Sequence, residues 1–473
     1  MRAADTGGAR EAHFLAHAGT GRTAAVVLAA GKGTRMRSDL PKMLHPLRGR
    51  PMVAYAVDAL RRAGARRPLV VIGPDHGAVR EALGDGVDYV VQREPRGSGH
   101  ALLQAVPRLR GHAVAYVVNG DMPLVSPETL RTLLRRVRDG AAAAIATGTP
   151  SPTPPYGRIV RGADGRFLRI VENVDATPEE AAIREVNAGF YCVRIPETAQ
   201  ALRRVRPANR QGEYYLPDAV NVLAADGRDV AVVPVTDPEE IVGVNTHADL
   251  SAADAILRRR VLERLMAAGV TVLDPATTFV DDAVKVGRDT VLHPGTFLMG
   301  RTVIGPGCTV GPGARVRDSV LDRRVRVWDS WIEESRIGEG SRVGPFAHLR
   351  PGTVIGRDVE IGNFAELKNS RVGDRTKVHH KSYLGDAQIG AEVNIGAGTI
   401  TCNYGLDGRK HRTTIGDRAY IGSDSMLVAP VRIGRDAATG AGSVVTKDVP
   451  PRRMAVGVPA RVIRSLNGTH RGR

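Results

Sequence analysis

From about residue 271 the chain repeats a six-residue pattern, an aliphatic residue followed by glycine or another small residue. Val286-Gly287, Ile304-Gly305, Val310-Gly311, Ile337-Gly338, Val343-Gly344 and Ile355-Gly356 begin the series. It continues through Ile361-Gly362, Val372-Gly373, Ile389-Gly390, Ile395-Gly396, Ile415-Gly416, Ile421-Gly422 and Ile433-Gly434. A fixed short period is the mark of a solenoid, in which each unit buries its apolar face only against its neighbours. Each unit reads as a short strand and a turn, with the aliphatic residue pointing inward and the small residue permitting the corner. Three units make a three-sided coil of about eighteen residues, so this half is a parallel β-helix. The period breaks between Asn403 and Thr413, at Tyr-Gly-Leu-Asp-Gly-Arg-Lys-His-Arg. A polar insertion in a rigid coil projects as a loop, and such loops commonly cover binding sites.

Residues 23–245 follow a different rule. Apolar runs at Val26–Ala30, Leu69–Gly73, Tyr89–Gln92 and Val114–Val118 read as buried strands. Between them, Val53–Ala63, Ala78–Leu83 and Thr129–Val137 carry helical spacing. This alternation predicts an α/β domain on a parallel or mixed, Rossmann-like sheet, with ligands bound beyond the carboxyl ends of the strands. Two polar segments fall at those ends. One is Leu28-Ala-Ala-Gly-Lys-Gly-Thr-Arg-Met36 with Leu40-Pro-Lys-Met-Leu44; the other is Asn119-Gly-Asp121. In the first, glycine lets backbone N–H groups approach an anion, while Lys32, Arg35 and Lys42 add positive charge, which suits a polyphosphate. His45 reads as structural. Thr149–Tyr156 is proline-rich and reads as a loop. Leu250, Ala253, Leu257, Val261 and Leu265 then place a helix over 247–269, with Thr246 as N-cap and Gly269 at its end. The expected domains are therefore a mobile arm (1–22), an α/β domain (23–246), a linker helix (247–269), a β-helix domain (270–464) and a tail (465–473).

The net charge of +17 raises the question of nucleic acid. The basic residues are scattered, aromatic content is only 4%, and no nucleic-acid-binding motif is present, so steering of small anionic substrates explains the charge. Cys192, Cys308 and Cys402 are far apart and odd in number, with neither metal nor disulfide spacing. No apolar run reaches the roughly 20 residues of a membrane span, and residues 1–22 lack a signal-peptide core. A cytoplasmic protein with neither nucleic-acid nor membrane partners is expected.

The glycine loop resembles the signature of sugar-1-phosphate nucleotidyltransferases, and the repeats resemble hexapeptide-repeat proteins, whose β-helices are left-handed. Together, LAAGKGTRM, LPKMLHPL, GSGHA, YGRI, EVNAG, GVN, LRPG, NFAELKNS, SYLGD and NIGAGTITCNY resemble, in order over residues 24–450, the bifunctional GlmU family. That family joins N-acetylglucosamine-1-phosphate uridylyltransferase to glucosamine-1-phosphate N-acetyltransferase and serves cell-wall precursor synthesis. The resemblance implies four small-molecule partners: UTP, N-acetylglucosamine 1-phosphate, glucosamine 1-phosphate and acetyl-CoA.

For uridylyl transfer, Asp121 and Asn245 match the family's Mg²⁺ ligands, and a carboxylate with an amide oxygen suits a hard cation that keeps waters. Arg35 and Lys42 match phosphate-facing catalytic residues. Leu28 and Gly31 belong to the nucleotide loop; Gln92, Gly97 and Ser98 match the uracil segment; Gly157, Glu172 and Asn187 match the sugar positions. For acetyl transfer an amine must lose a proton, and histidine titrates nearest neutrality. His379 and His380 are adjacent. Consecutive residues on a flank point to opposite sides, so one alone faces a cleft, and the register of H-K-S-Y-L-G-D selects His380. Arg350 and Lys368 match phosphate clamps, Glu366, Tyr383 and Asn394 sugar positions, and Ala397, Asn403, Tyr404, Ser423 and Ala441 the acetyl-CoA groove. The family builds this second site between the coils of a homotrimer.

The chain departs from the family at Asn119, where many members carry tyrosine or serine, and at Val456-Gly-Val-Pro-Ala-Arg-Val462, which resembles other hexapeptide acyltransferases. The competing reading is a paralogue with nucleotidyl transfer alone, its β-helix serving only trimerisation.

Overall fold

The computed structural model describes residues 23–31, 33–74 and 77–466. The expected arm 1–22, Lys32 of the basic loop and residues 467–473 of the expected tail lie outside the described residues. The chain divides into two compact units, Met1–Leu257 and Arg258–Arg473.

The first unit is built on a nine-stranded mixed sheet. Its main path runs Val230–Pro234, Ala143–Gly148, Val186–Arg194, Val114–Asn119, Ala24–Ala29, Leu69–Ile72 and Asp88–Val91. Ala24–Ala29 pairs in parallel with both neighbours. Val186–Arg194 runs antiparallel to both of its own. The central strands are uninterrupted aliphatic runs because both faces are covered: Val26, Val27, Val70, Val71, Val117 and Val118 are buried. Helices Met52–Arg62, Gly77–Leu83 and Pro127–Arg138 stand where helical spacing placed them.

The helix after this sheet spans His247–Ala267. Thr246 Oγ1 accepts the N–H of Asp249, and Asp249 Oδ2 accepts the N–H of Thr246 in return, so two of the unsatisfied donors at the helix start are paired. Gly269, just past the end, takes the left-handed conformation.

The second unit is a parallel β-helix whose three flat faces are sheets of twelve, ten and nine strands. Each face buries one aliphatic ladder. On the ten-stranded face it reads Val280, Leu298, Val316, Ile332, Leu349, Leu367 and Leu384, all fully buried, each contributing on the order of 1.5–3 kcal/mol. Coils are not uniform in length: the register passes from Thr309 to Arg326 to Arg342, seventeen and then sixteen residues.

The repeat glycines permit the corners, as expected, mostly by leaving room for the next coil, with Gly311 and Gly344 also left-handed. Gly338 is not in the left-handed region. Glycine is needed there because a Cβ would lie 2.4 Å from the carbonyl oxygen of Gly356 in the next coil. Many left-handed corners are instead taken by Asp289, Asp318, Asp329, Asn369 and similar residues, the polar short-chain types that tolerate that conformation best.

Cys192, Cys308 and Cys402 are free thiols. Among the described residues no helix is long and apolar enough to cross a membrane.

Candidate functional site

In the first unit, the strand Ala24–Ala29 runs into the basic loop at its carboxyl end. Leu28 is buried, and its carbonyl accepts the N–H of Gly120, which ties the loop to the Asn-Gly-Asp segment. Gly31 is exposed, and a Cβ there would meet nothing within 4 Å. Gly33 is constrained twice: it is left-handed at φ 64°, and a Cβ would lie 2.5 Å from the Cβ of Lys42. Lys42 is thereby pressed into the site, nearly buried.

Four polar side chains converge there. Lys42 Nζ donates to Asp121 Oδ2 at 2.7 Å and to Asn245 Oδ1 at 2.8 Å, and Arg35 donates to Asn245 Oδ1 at 2.7 Å. Arg35 and Lys42 each lie more than 200 positions from Asn245 along the chain. The backbone closes the distance, since the N–H of Val244 donates to the carbonyl of Asp121 at 2.9 Å. The Tyr156 hydroxyl accepts the N–H of Gly243, and Asp249 Oδ2 accepts the N–H of Asn245 as well as that of Thr246. Asp249 lies in none of the quoted motifs, and Tyr156, the first residue of YGRI, was not singled out. For Asp249 the sequence signal was the T-x-x-D spacing at a helix start.

One ammonium group spans Asp121 Oδ2 and Asn245 Oδ1, so both oxygens address a single cationic centre. Among the described residues no cluster of three or more His, Cys, Asp or Glu is placed to hold a metal ion. A divalent ion fits this pair only as a hard cation that completes its shell with water and substrate oxygens.

Gly157, Glu172 and Asn187 also come together. The N–H of Asn187 donates to the Gly157 carbonyl at 2.8 Å, and a Cβ on Gly157 would lie 3.2 Å from Glu172 Oε1. Asn187 Nδ2 donates to the Tyr191 hydroxyl at 2.6 Å. Burial, and then Asp218 and Asp175, push the Glu172 carboxyl up to about 7. The uracil segment is held from within: the Gln92 amide donates to the Gly97 carbonyl, and Ser98 Oγ accepts the N–H of Leu216. His45 is buried beside the His247 ring, in keeping with a structural part.

In the second unit, Arg350 donates to Glu366 Oε1 at 2.7 Å. Glu366 stacks on Tyr383, and Lys368 on Gly385, in successive coils. A Cβ at Gly385 would lie 2.5 Å from the Tyr383 hydroxyl and 2.7 Å from Asn403 Nδ2, so both side chains converge over it. Asn403 is fixed by donating to Asp386 Oδ2 at 2.6 Å. Lys410, inside the period break, reaches the same place. Lys410 first, then Arg350, holds the Lys368 ammonium below its usual range. Sequence reading passed over Lys410, whose only signal is a basic residue in a period break.

The expected opposition of His379 and His380 is corrected. The strand Lys377–His380 buries Val378, and His379 faces out. The chain then turns, with Lys381 left-handed, so His380 is exposed rather than returned to the interior. Both rings lie outside the coil, 5.8 Å apart. They differ in engagement: His379 Nε2 lies 2.7 Å from Glu360 Oε2, while the His380 ring has no hydrogen-bond partner among the described residues.

His380 sits on the corner that carries Ala397, Ser423 and Ala441. Val378 pairs with Ile395 and Ile395 with Ile421, so His380, Ala397 and Ser423 occupy equivalent places in successive coils. The carbonyl of Ala397 accepts the N–H of Asp424, and that of Ser423 accepts the N–H of Gly442, which carries the column past Ala441. Tyr404 stands exposed at the base of the loop, bridged to Lys410. Asn394 is not brought together with Arg350, Lys368 and Tyr383. It pairs with Lys377 and Tyr420 on the neighbouring face, across the corner.

A MobA-like NTP transferase domain model matches residues 25–185. A GMPPB C-terminal domain model matches 276–364, and a bacterial transferase hexapeptide (six repeats) model matches 412–447. Full-length relatives agree. A protein named "Bifunctional protein GlmU" from Brevibacillus brevis is 46% identical, covering 91% of this chain and 94% of its own. Proteins of the same name from Exiguobacterium sp. and Geobacter metallireducens are each 45% identical, covering 91% and 92% of this chain and 96% of their own.

Proposed function

Since this chain belongs to the GlmU family, we propose that its two sites make UDP-N-acetylglucosamine in two steps. The second unit acetylates glucosamine 1-phosphate, and the first joins the product to a uridylyl group from UTP. The observation that carries this reading is the pair of separate cationic sites, one around Asp121, Asn245, Lys42 and Arg35, the other around His380, Arg350, Lys368 and Tyr383.

In the first site, a phosphate oxygen of N-acetylglucosamine 1-phosphate attacks the α-phosphorus of UTP. A new P–O bond forms as the bond to pyrophosphate breaks. Arg35 and Lys42 lie where they neutralise charge that builds up on the phosphates. Mg²⁺, when held by Asp121 and Asn245 together with substrate oxygens, supplies further charge neutralisation and alignment. Gly157 leaves room beside Glu172 and Asn187 for a sugar ring, and Glu172, neutral below about pH 7, donates a hydrogen bond as an acid.

In the second site, the amine of glucosamine 1-phosphate attacks the thioester carbonyl of acetyl-CoA. A C–N bond forms, the C–S bond breaks, and His380 takes the proton from the amine and passes it to the departing sulfur, so that CoA leaves as its thiol. Arg350 and Lys368 clamp phosphate. The small residues Ala397, Ser423 and Ala441 leave a shallow column beside His380 for the extended acetyl donor. A homotrimer in the cytoplasm completes the proposal. Exposed apolar side chains on the β-helix, Trp331, Phe346, Phe364 and Leu406 among them, support an assembly in which another copy covers them.

The reading with nucleotidyl transfer alone is not favoured, because a purely structural coil has no need of Arg350, Lys368 and Tyr383 gathered on the face that begins past the His380 corner. A substrate panel tests the proposal. Purified protein is given UTP or dTTP with several hexose 1-phosphates, and acetyl-CoA with glucosamine 1-phosphate. Pyrophosphate release that prefers UTP with N-acetylglucosamine 1-phosphate, with thiol release in parallel, is expected. A preference for another pair, or no thiol release, would overturn it.

A further inference from the structure

The loop that breaks the six-residue period is a small hairpin locked by its own side chains. Tyr404 and Lys410 form an antiparallel bridge. The N–H of Gly405 donates to the Arg409 carbonyl at 2.8 Å, and that of His411 to the Asn403 carbonyl at 2.7 Å. Across the turn, His411 Nε2 lies 2.9 Å from Asp407 Oδ2. Position 405 must be glycine for this to happen, because a Cβ would lie 2.6 Å from Asp407 Oδ1 and 3.0 Å from the His411 ring. Asp407 Oδ1 also accepts the N–H of Arg409, so one carboxylate holds both arms of the turn.

We infer that Asp407 and His411 are a positioning pair for acetyl transfer: they clasp the hairpin so that Lys410 stands beside Lys368 and Arg350, completing a three-cation seat for a substrate phosphate. Neighbouring residues on an extended strand project to opposite sides. With His411 held over Gly405 by Asp407, Lys410 is turned the other way, toward Lys368. The hairpin base stands over that place, since Asn403, whose carbonyl accepts the N–H of His411, converges with Tyr383 over Gly385, the residue stacked on Lys368. In keeping with this, Lys410 holds the Lys368 ammonium below its usual range. Their mutual repulsion is relieved when a phosphate enters between them, so a hairpin that holds Lys410 in place favours the bound state. The phosphate belongs either to glucosamine 1-phosphate or to acetyl-CoA. The inference rests on the reading of this site as the acetyl-transfer centre.

The test uses the full chain with Asp407→Asn, Asp407→Glu, Lys410→Ala and the double variant Asp407→Asn/Lys410→Ala. Tryptic cleavage after Arg409 reports on the clasp without reference to activity. KM and kcat for thiol release, measured against each substrate in turn, report on its purpose. Pyrophosphate release from UTP serves as the control and stays unchanged in Asp407→Asn. Asp407→Asn should be cut about tenfold faster and should raise the KM of one substrate about tenfold with little loss of kcat. The substrate whose KM rises identifies the phosphate. Asp407→Glu should restore both, and Asp407→Asn should add nothing to Lys410→Ala, because both act through the same ammonium. Unchanged cleavage and KM in Asp407→Asn, or effects that multiply in the double variant, would overturn the inference. Should the wild-type protein release no thiol, the acetyl-transfer reading would fall, while the cleavage comparison would still judge the clasp.

Discussion

Asp249 accepts the backbone N–H of Asn245 at 3.0 Å, from the first turn of the helix that begins at His247. The same carboxylate oxygen caps Thr246. A helix start thus doubles as the support for a side chain that shares Lys42 with Asp121. Replacing Asp249 with alanine removes the cap, at a cost of about 1 kcal/mol in stability. It also releases Asn245. Pyrophosphate release should fall about tenfold or more while thiol release is untouched. Parallel assays of the two products check this. Equal loss of both would mean that Asp249 supports only the fold.

The two adjacent histidines separate cleanly by experiment. His380 is exposed on the corner column, and His379 is engaged with Glu360. His380→Ala should lower kcat for thiol release by about 10²-fold or more, the scale of general-base catalysis. His379→Ala, which breaks a partly exposed pair, should cost no more than about 1 kcal/mol of stability and leave kcat within a few-fold. The reverse ranking would move the base to His379.

Glu172 gives the first unit a pH signature. Its carboxyl is raised from the ordinary 4.5 to about 7, by burial first and then by Asp218 and Asp175. Between those values the folded protein holds a proton that the unfolded chain has released, so stability falls as pH rises. The contribution is complete below about pH 4.5 and is lost as pH passes through 7, a change on the order of 3 kcal/mol. Asp218 is raised as well and adds in the same direction. Unfolding midpoints followed from pH 5 to 8 should show wild type losing ground to Glu172→Gln as pH rises. A gap that stays constant with pH would remove the raised carboxyl from the account.

How much of this was legible in the sequence varies with the range of the interaction. The coil was legible because the aliphatics of the repeat, such as Ile337, Val343 and Ile361, occupy core places that the period alone defines. The reason for the glycines was not. At Gly338 the constraint is the backbone of the next coil, which no local pattern displays. Asp121 and Asn245 were recognisable by motif, yet their closeness depends on the bond from Val244 to Asp121, a pairing set by the sheet. The antiparallel strand Val186–Arg194 shows the same limit, since its apolar run suits either direction. Strict alternation set His379 and His380 on opposite sides, but both lie outside the coil, because a corner begins after His379.

The central claim is that one chain carries two independent centres, one of which places Asp121 and Asn245 on a shared cation while the other leaves the His380 ring exposed on a three-sided coil. The most direct measurement assays pyrophosphate and thiol release side by side from the same preparations of wild type, Asp121→Ala and His380→Ala. The account predicts a crossed result: Asp121→Ala loses pyrophosphate release and keeps thiol release, and His380→Ala does the opposite. Uridylyl transfer that survives in Asp121→Ala, or acetyl transfer that survives in His380→Ala, would contradict it.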